Sequence, residues 1–464
     1  MRVKDHVAEK ELFESRPILC AILKLAVPTV IGQIILVIYN IADTFFVGMT
    51  GNDAMVTAVT ICMPAFMFLS AISNLFGVGG ASVISRALGG RNADRAGSAA
   101  QFAFWGCLLT ALIYALGAGL LLNPFIDLLG GSDGAVHSMA REYLKITVVI
   151  GGIFAAMGTF MAHLVRSEGR SIHASTGVAL GGLMNIALDP LFMFVLLPAG
   201  QEVVGVALAT AISNLISTAY FAAILRRNRE RSALRFRFSM EMLRGGVPAA
   251  VLACGLPACL MTLFENVSYA VLDNLMAFNG VAMQAGIGVA KKVNMLAHCI
   301  VRGMAQGVLP LISYNYASGN AGRMRSAVLI STAISIGLAT ACMAVNLCFG
   351  ERFVGLFIQG GTSLSYGTRF LRILCLGCPF SACAYAVISF FQAVGCGFKS
   401  FLLAILRKGV LDIPLMFALR LADPACGIVW ATPIADFVCC AAAVLLFSMF
   451  LRSHARCTGD FALA

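Results

Sequence analysis

Apolar residues run through this chain in twelve long stretches separated by short polar breaks. They lie near 22–48, 54–85, 99–122, 140–163, 172–197, 203–225, 246–278, 282–311, 327–350, 370–395, 400–420 and 427–451. Ala99 to Leu122, Val203 to Leu225 and Ala327 to Gly350 carry no Asp, Glu, Lys or Arg at all. A helix needs about 20 apolar residues to cross a bilayer core, whereas a barrel strand needs about ten of alternating polarity. The pattern therefore predicts an all-α polytopic membrane protein of twelve transmembrane helices. Composition agrees: 59% of the 464 residues are hydrophobic and only 12% charged, against about 25% charged in soluble domains. The first seventeen residues are polar, and the apolar run after Pro17 is too long for a signal h-region, so it reads as helix 1. Most of the sixteen cysteines sit inside apolar runs as small hydrophobes, and Cys375 with Cys378 lacks the His or second CxxC of a metal site.

The net charge of +11 points to nucleic acid only until its placement is considered. Taking the breaks alternately, one side collects 22 Lys and Arg, including Arg86, Arg91, Arg95 and the central run Arg226 to Arg244. The other side collects 6 and the spans hold 5. The positive-inside rule then places both termini in the cytoplasm of a multi-pass inner-membrane protein, and no nucleic-acid partner is expected.

The basic centre also divides a repeat. Residues 84–99 align with 312–327, with identities at 84, 85, 92, 93, 95, 98 and 99, each offset by 228. Pro28 and Tyr39 to Asp43 in helix 1 are echoed by Pro257 and Tyr269 to Asp273 in helix 7. The expected domains are a six-helix bundle over 1–228, a basic linker over 229–244 and a second six-helix bundle over 245–464. Six spans per half give both halves one orientation. Parallel repeats of this kind bind substrate between the halves and rock to alternate access.

A charge at the bilayer centre costs roughly 2.5–3.5 kcal/mol on insertion scales, so the acids within spans need a reason. They are Asp43, Asp189, Glu265, Asp273, Asp412 and Asp436. The helical rise puts Asp43, Asp189 and Thr210 in the outer half of the first bundle. Tyr39 and Asn185 each sit one turn below an Asp on the same face. Two carboxylates, an amide, a hydroxyl and a phenol converging there suit a monovalent cation. Na⁺ takes hard oxygen ligands, as at Asp43, Asn185, Asp189 and Thr210; H⁺ takes a carboxylate made basic by burial and a like charge. The bland alternative is that Asp189-Pro190 only kinks a helix and Asp43 lies at the interface. In the second half Glu265 is expected to face Asp412 or Asp436, and Arg407 to pair with Glu265 or Asp412. Static salt bridges or snorkelling would explain the same residues without transport. Gly395 to Ser400 has the wrong spacing for a P-loop, and there is no nucleophile elbow or HExxH. No enzyme chemistry and no cofactor are expected.

At these residues the chain resembles the MATE (multidrug and toxic compound extrusion) transporters, bacterial branch. The resemblance rests on Pro28 with Tyr39 to Gly48, Ser85 to Gly89, Asn185 to Pro190 and Gly205 to Thr210. It implies a V-shaped pair of bundles exporting amphipathic, often cationic compounds in antiport with H⁺ or Na⁺. It maps the coupling acid onto Asp43, with Tyr39, Asn185, Asp189 and Thr210 as partners. Glu265 matches an acid that some members use in helix 7. Those members also carry an acid in helix 10, and here Arg372 to Val410 has none, so coupling is expected in the first half. The expected working unit is a monomer in the lipid bilayer. The alternative is a lipid-linked or polar-metabolite flippase of the same superfamily, which Lys291, Lys292 and Arg407 would serve.

Overall fold

The computed structural model describes residues 11–129, 134–198, 200–230, 232–358 and 361–458. Arg2, Lys4, Lys10 and Arg231, which enter the charge count above, lie outside them. The N-terminal half contains α1 (Ile18–Met49), α2 (Asp53–Gly89), α3 (Ala93–Leu120), α4 (Leu122–Leu128), α5 (Gly134–Leu144), α6 (Gly152–Ser167), α7 (Ser171–Pro190) and α8 (Glu202–Arg227). The C-terminal half contains α9 (Val247–Phe278), α10 (Val281–Ala317), α11 (Ala321–Gly355), α12 (Gly361–Cys375), α13 (Cys378–Ala393), α14 (Gly397–Ile405), α15 (Ile413–Arg420) and α16 (Gly427–Thr458). Among the described residues nine helices are long and apolar enough to cross a membrane, and two bent pairs bring the count to 11. The bends correspond between halves: 47° between α5 and α6, 43° between α12 and α13. The twelfth expected span is helical from Gly397 to Arg420 but holds Lys399, Arg407, Lys408, Asp412 and Arg420. Its charge, not its length, sets it apart.

The repeat has physical content. Asn92 caps α3 by accepting a hydrogen bond from the Arg95 N–H at 2.9 Å, and Asn320 caps α11 through Arg323 at 3.0 Å. Ile84 and Ile312, Ser85 and Ser313, and Ala99 and Ala327 are all buried. The identities thus mark the same helix start and the same packed faces.

Three helical turns widen to the π form: Lys145–Ile150 after α5, Leu191–Leu196 after α7, and Leu406–Asp412 between α14 and α15. Each inserts a residue into the α ladder and re-aims the side chains around it.

The halves meet through α1 and α2 on one side and α9 and α10 on the other. Glycine permits the approach. A Cβ at Gly255 of α9 would overlap the Leu75 carbonyl oxygen, and one at Gly303 of α10 would lie 2.7 Å from Val30 Cα. The hydrogen bonds across this seam include Gln33 to Gln306 (3.2 Å), Asn74 to Thr262 (2.9 Å) and Ser82 to the Gln392 carbonyl (2.5 Å). The segment before α1 spans it too. Phe13 stacks on Tyr314 with centroids 4.9 Å apart and also lies against Gly169. All of these contacts lie toward the end that carries Arg86, Arg323 and the chain's described termini.

Candidate cation and substrate site

Asp189 is 0% exposed and Asp43 only 7%, so neither is an interfacial residue. Asp189 ends the α-helical part of α7, where Pro190 denies a backbone donor and the π turn begins. One turn earlier Asn185 donates through Nδ2 to Asp189 Oδ1 at 3.3 Å and to Thr210 Oγ1 of α8 at 3.4 Å. Asp43 and Tyr39 face the same interior from α1. Asp43 acts electrostatically on Tyr39 and on Asp189, and Asp189 on Tyr39. The structure thus gathers the residues expected from depth and helical face.

Three oxygens of this cluster are buried without a hydrogen-bond partner: Asp43 Oδ1, Asn185 Oδ1 and Asp189 Oδ2. No base forms an ion pair with either carboxylate among the described residues. Buried acceptors left unmatched cost free energy that a bound proton or metal cation would recover. Tyr143 of α5 belongs to the cluster as well. It is buried and feels Asp43, Asp189 and Tyr39. In sequence it stands beside Arg141, Glu142 and Lys145 and reads as the polar edge of a span. The bend between α5 and α6 falls on the Gly151-Gly152 pair, whereas the π turn that follows Tyr143 is not marked by any residue pattern.

The C-terminal half is organised by ion pairs. Glu265 Oε2 accepts from Arg302 Nη2 at 2.6 Å, and Glu265 Oε1 from the Tyr385 hydroxyl at 3.5 Å. Arg407 Nε donates to Asp436 Oδ1 at 2.6 Å and its Nη2 to Ser381 Oγ at 2.8 Å, with the guanidinium over the Tyr385 ring. Lys408 Nζ donates to Asp412 Oδ2 at 2.7 Å, and Ser268 and Thr432 complete that carboxylate's shell. Lys291 pairs with Asp273.

Two expectations are corrected here. Arg407 pairs with Asp436, not with Glu265 or Asp412, and Glu265 meets Arg302 and not Asp412 or Asp436. For Glu265 the cause is the packing of α9 against α10, and for Arg407 it is the direction of its side chain on the helical turn Leu406–Asp412. Consecutive helical residues point about 100° apart, so Arg407 reaches α13 and α16 while Lys408 turns back to its own Asp412. Arg407 is 0% exposed and does not snorkel. Lys291 and Arg407, two of the bases on which a flippase reading rests, are neutralised within the protein.

The sequence profile of the MatE family matches residues 28–191 and again 257–418. The two matches begin at Pro28 and Pro257, the prolines that open the repeat. The multidrug export protein MepA of Staphylococcus aureus (strain MRSA252) is 29% identical over 441 residues, 94% of each chain. MepA of Staphylococcus saprophyticus is 28% identical over 434 residues, again 94% of each. A MATE transporter crystallised with MaL6 superposes with a TM-score of 0.85 at 25% identity, covering 96% of this chain and 98% of that one. A multidrug resistance MATE family transporter in its outward-facing conformation gives 0.83 at 25% identity, over 93% and 95%. The repeated helix plan, the twofold profile match and the full-length likeness together place this chain in the MatE family of membrane transporters.

Proposed function

We propose that this chain is a secondary multidrug exporter that moves amphipathic, often cationic organic compounds out of the cell against inward H⁺ or Na⁺ flow. It acts as a monomer with both termini cytoplasmic. Two lobes, 1–228 and 245–464, rock about the linker 229–244. The observation that carries the coupling is the set of three partnerless oxygens on Asp43, Asn185 and Asp189, in a pocket with no ion-paired base. Binding a cation there is favourable when the pocket is dry and lost when it hydrates, which is what an antiporter needs. The export part is supported by the MepA relatives. One charge crossing 100 mV supplies about 2.3 kcal/mol, equivalent to a concentration ratio of roughly fifty.

The test is dye transport in proteoliposomes under separately imposed H⁺ and Na⁺ gradients. An aromatic cationic dye should move under one gradient and stop when it is collapsed, which names the ion. No movement under either gradient would reject coupled drug export.

A further inference from the structure

The linker between the halves is fastened to the N-terminal one. Glu168 Oε1, just past α6, accepts hydrogen bonds from the Ser232 hydroxyl at 2.7 Å and the Ala233 N–H at 2.9 Å. Arg235 meets Asp94 at 3.5 Å at the foot of α3. Farther along α3, Trp105 Nε1 donates to the Phe236 carbonyl oxygen at 3.1 Å, the Phe236 ring packs on Phe104, and Phe238 stands edge-on to Trp105. The linker thus climbs the outside of α3 from its basic end to a tryptophan about 18 Å above Ala93 by the helical rise. Its inner side is anchored by Leu234 and Met242, both buried. Its outer side is apolar and uncovered: Phe238, Met240 and Leu243 are 51%, 64% and 53% exposed. Arg235, Arg237 and Arg244 are exposed beside them. Among the described residues no acid pairs with Arg237 or Arg244, and the segment's own acid, Glu241, is exposed too. Gly245 and Gly246, both at positive φ, then turn the chain into α9.

We propose that residues 235–244 form an interfacial binding face for anionic phospholipid. Arg235, Arg237 and Arg244 take headgroup phosphates, and Phe238, Met240 and Leu243 enter the acyl boundary. Exposed apolar side chains beside a tryptophan on a spanning helix are what the headgroup boundary of a bilayer covers. The excess of arginine over Glu241 sets the sign of the lipid, and a guanidinium holds a phosphate through paired N–H donors. The face continues the apolar outer surface of α3 and α9, so a bilayer is the occupant already beside it. Because the linker is fixed to α3 and to Glu168, a lipid held there is held by the N-terminal half. That the leaflet is the cytoplasmic one rests on the proposed orientation; the lipid preference itself does not.

The test uses the full-length chain carrying Trp430→Phe, which leaves Trp105 as its one tryptophan. This chain is reconstituted in bilayers of phosphatidylcholine and phosphatidylglycerol, equal in both leaflets so that orientation does not enter. Bromine is placed on the acyl chains of one lipid or the other, and quenching of Trp105 fluorescence reports which lipid lies against the linker. Brominated phosphatidylglycerol should quench beyond its mole fraction, corresponding to a preference of about fivefold over phosphatidylcholine, as expected for one unscreened arginine at an anionic surface. Arg235→Gln/Arg237→Gln/Arg244→Gln should bring that ratio to about one while brominated phosphatidylcholine still quenches, since the apolar side chains remain. Arg91→Gln/Arg95→Gln, exposed at the tip of the same end, should leave the preference intact. The proposal is overturned if the starting chain shows no preference, if the triple variant keeps it, or if the tip variant loses it as fully. Quenching by neither lipid would also overturn it, because the face would then be covered by protein, such as a second copy of the chain. Should the triple variant not reconstitute, Arg237→Gln alone should lower the preference at least about twofold, and an unchanged ratio would overturn the proposal equally.

Discussion

In the N-terminal half, Asp43 and Asp189 lie in the protein interior with no base paired to them, and three oxygens around them lack any hydrogen bond. In the C-terminal half, Glu265, Asp273, Asp412 and Asp436 each meet a lysine or arginine. The helix plan is the same, down to the paired bends and the Asn92 and Asn320 caps. What differs is where the neutralising charge comes from. Desolvated carboxylates do not persist alone, so on the proposed reading one half takes its cation from solution and the other pairs its acids within the chain. On the proposed reading, a common scaffold yields one lobe that answers an ion gradient and one whose acids are paired within the protein.

The comparison breaks most visibly at Asp43. Asp43→Asn should reduce gradient-driven dye export to background, a loss of at least about tenfold in rate, with protein level and thermal stability near wild type. Next comes the static character of the sealed pairs. Arg407→Met alone strands Asp436 and should destabilise by about 3–5 kcal/mol, while Arg407→Met with Asp436→Leu should recover most of that loss or exceed it. Thermal unfolding in detergent measures both, and equal damage from the single and double variants would contradict the pairing. The seam ranks third. Gly255→Val pushes a side chain into the Leu75 carbonyl and should cost about 1–3 kcal/mol. It should also shift the halves apart, read as a longer spin-label distance between α2 and α9 at the basic end. The smallest effect is shared by both halves: Asn92→Ala and Asn320→Ala should each cost about 1 kcal/mol, and similar losses would confirm that the caps are equivalent.

The sequence reveals the scaffold well because bilayer thickness and the 3.6-residue period act locally. The span over 400–420 is recognisable even though Arg407, Lys408 and Asp412 interrupt it. The N-terminal cluster is legible for the same reason: Tyr39 and Asp43, and Asn185 and Asp189, are four residues apart, and chain direction gives their depth. What is not legible is partner choice. Arg302 has no motif around it, and its pairing with Glu265 depends on how α9 and α10 pack. Arg407 and Lys408 are adjacent in sequence but reach different acids, because consecutive helical residues point about 100° apart and the neighbouring helices decide which acid each meets. Tyr143 stays hidden among charged neighbours until α5 is placed beside α1 and α7.

The most direct test of the account compares Asp43→Asn with the charge-neutral pair Glu265→Gln/Arg302→Gln in the same proteoliposomes, under whichever gradient drives the wild type. The account predicts that Asp43→Asn abolishes coupled export while the C-terminal pair keeps it within about threefold of wild type, since both carboxylates of the N-terminal cluster remain. The reverse outcome, coupling lost in the C-terminal pair and kept in Asp43→Asn, would move the ion site to the other lobe and contradict the account.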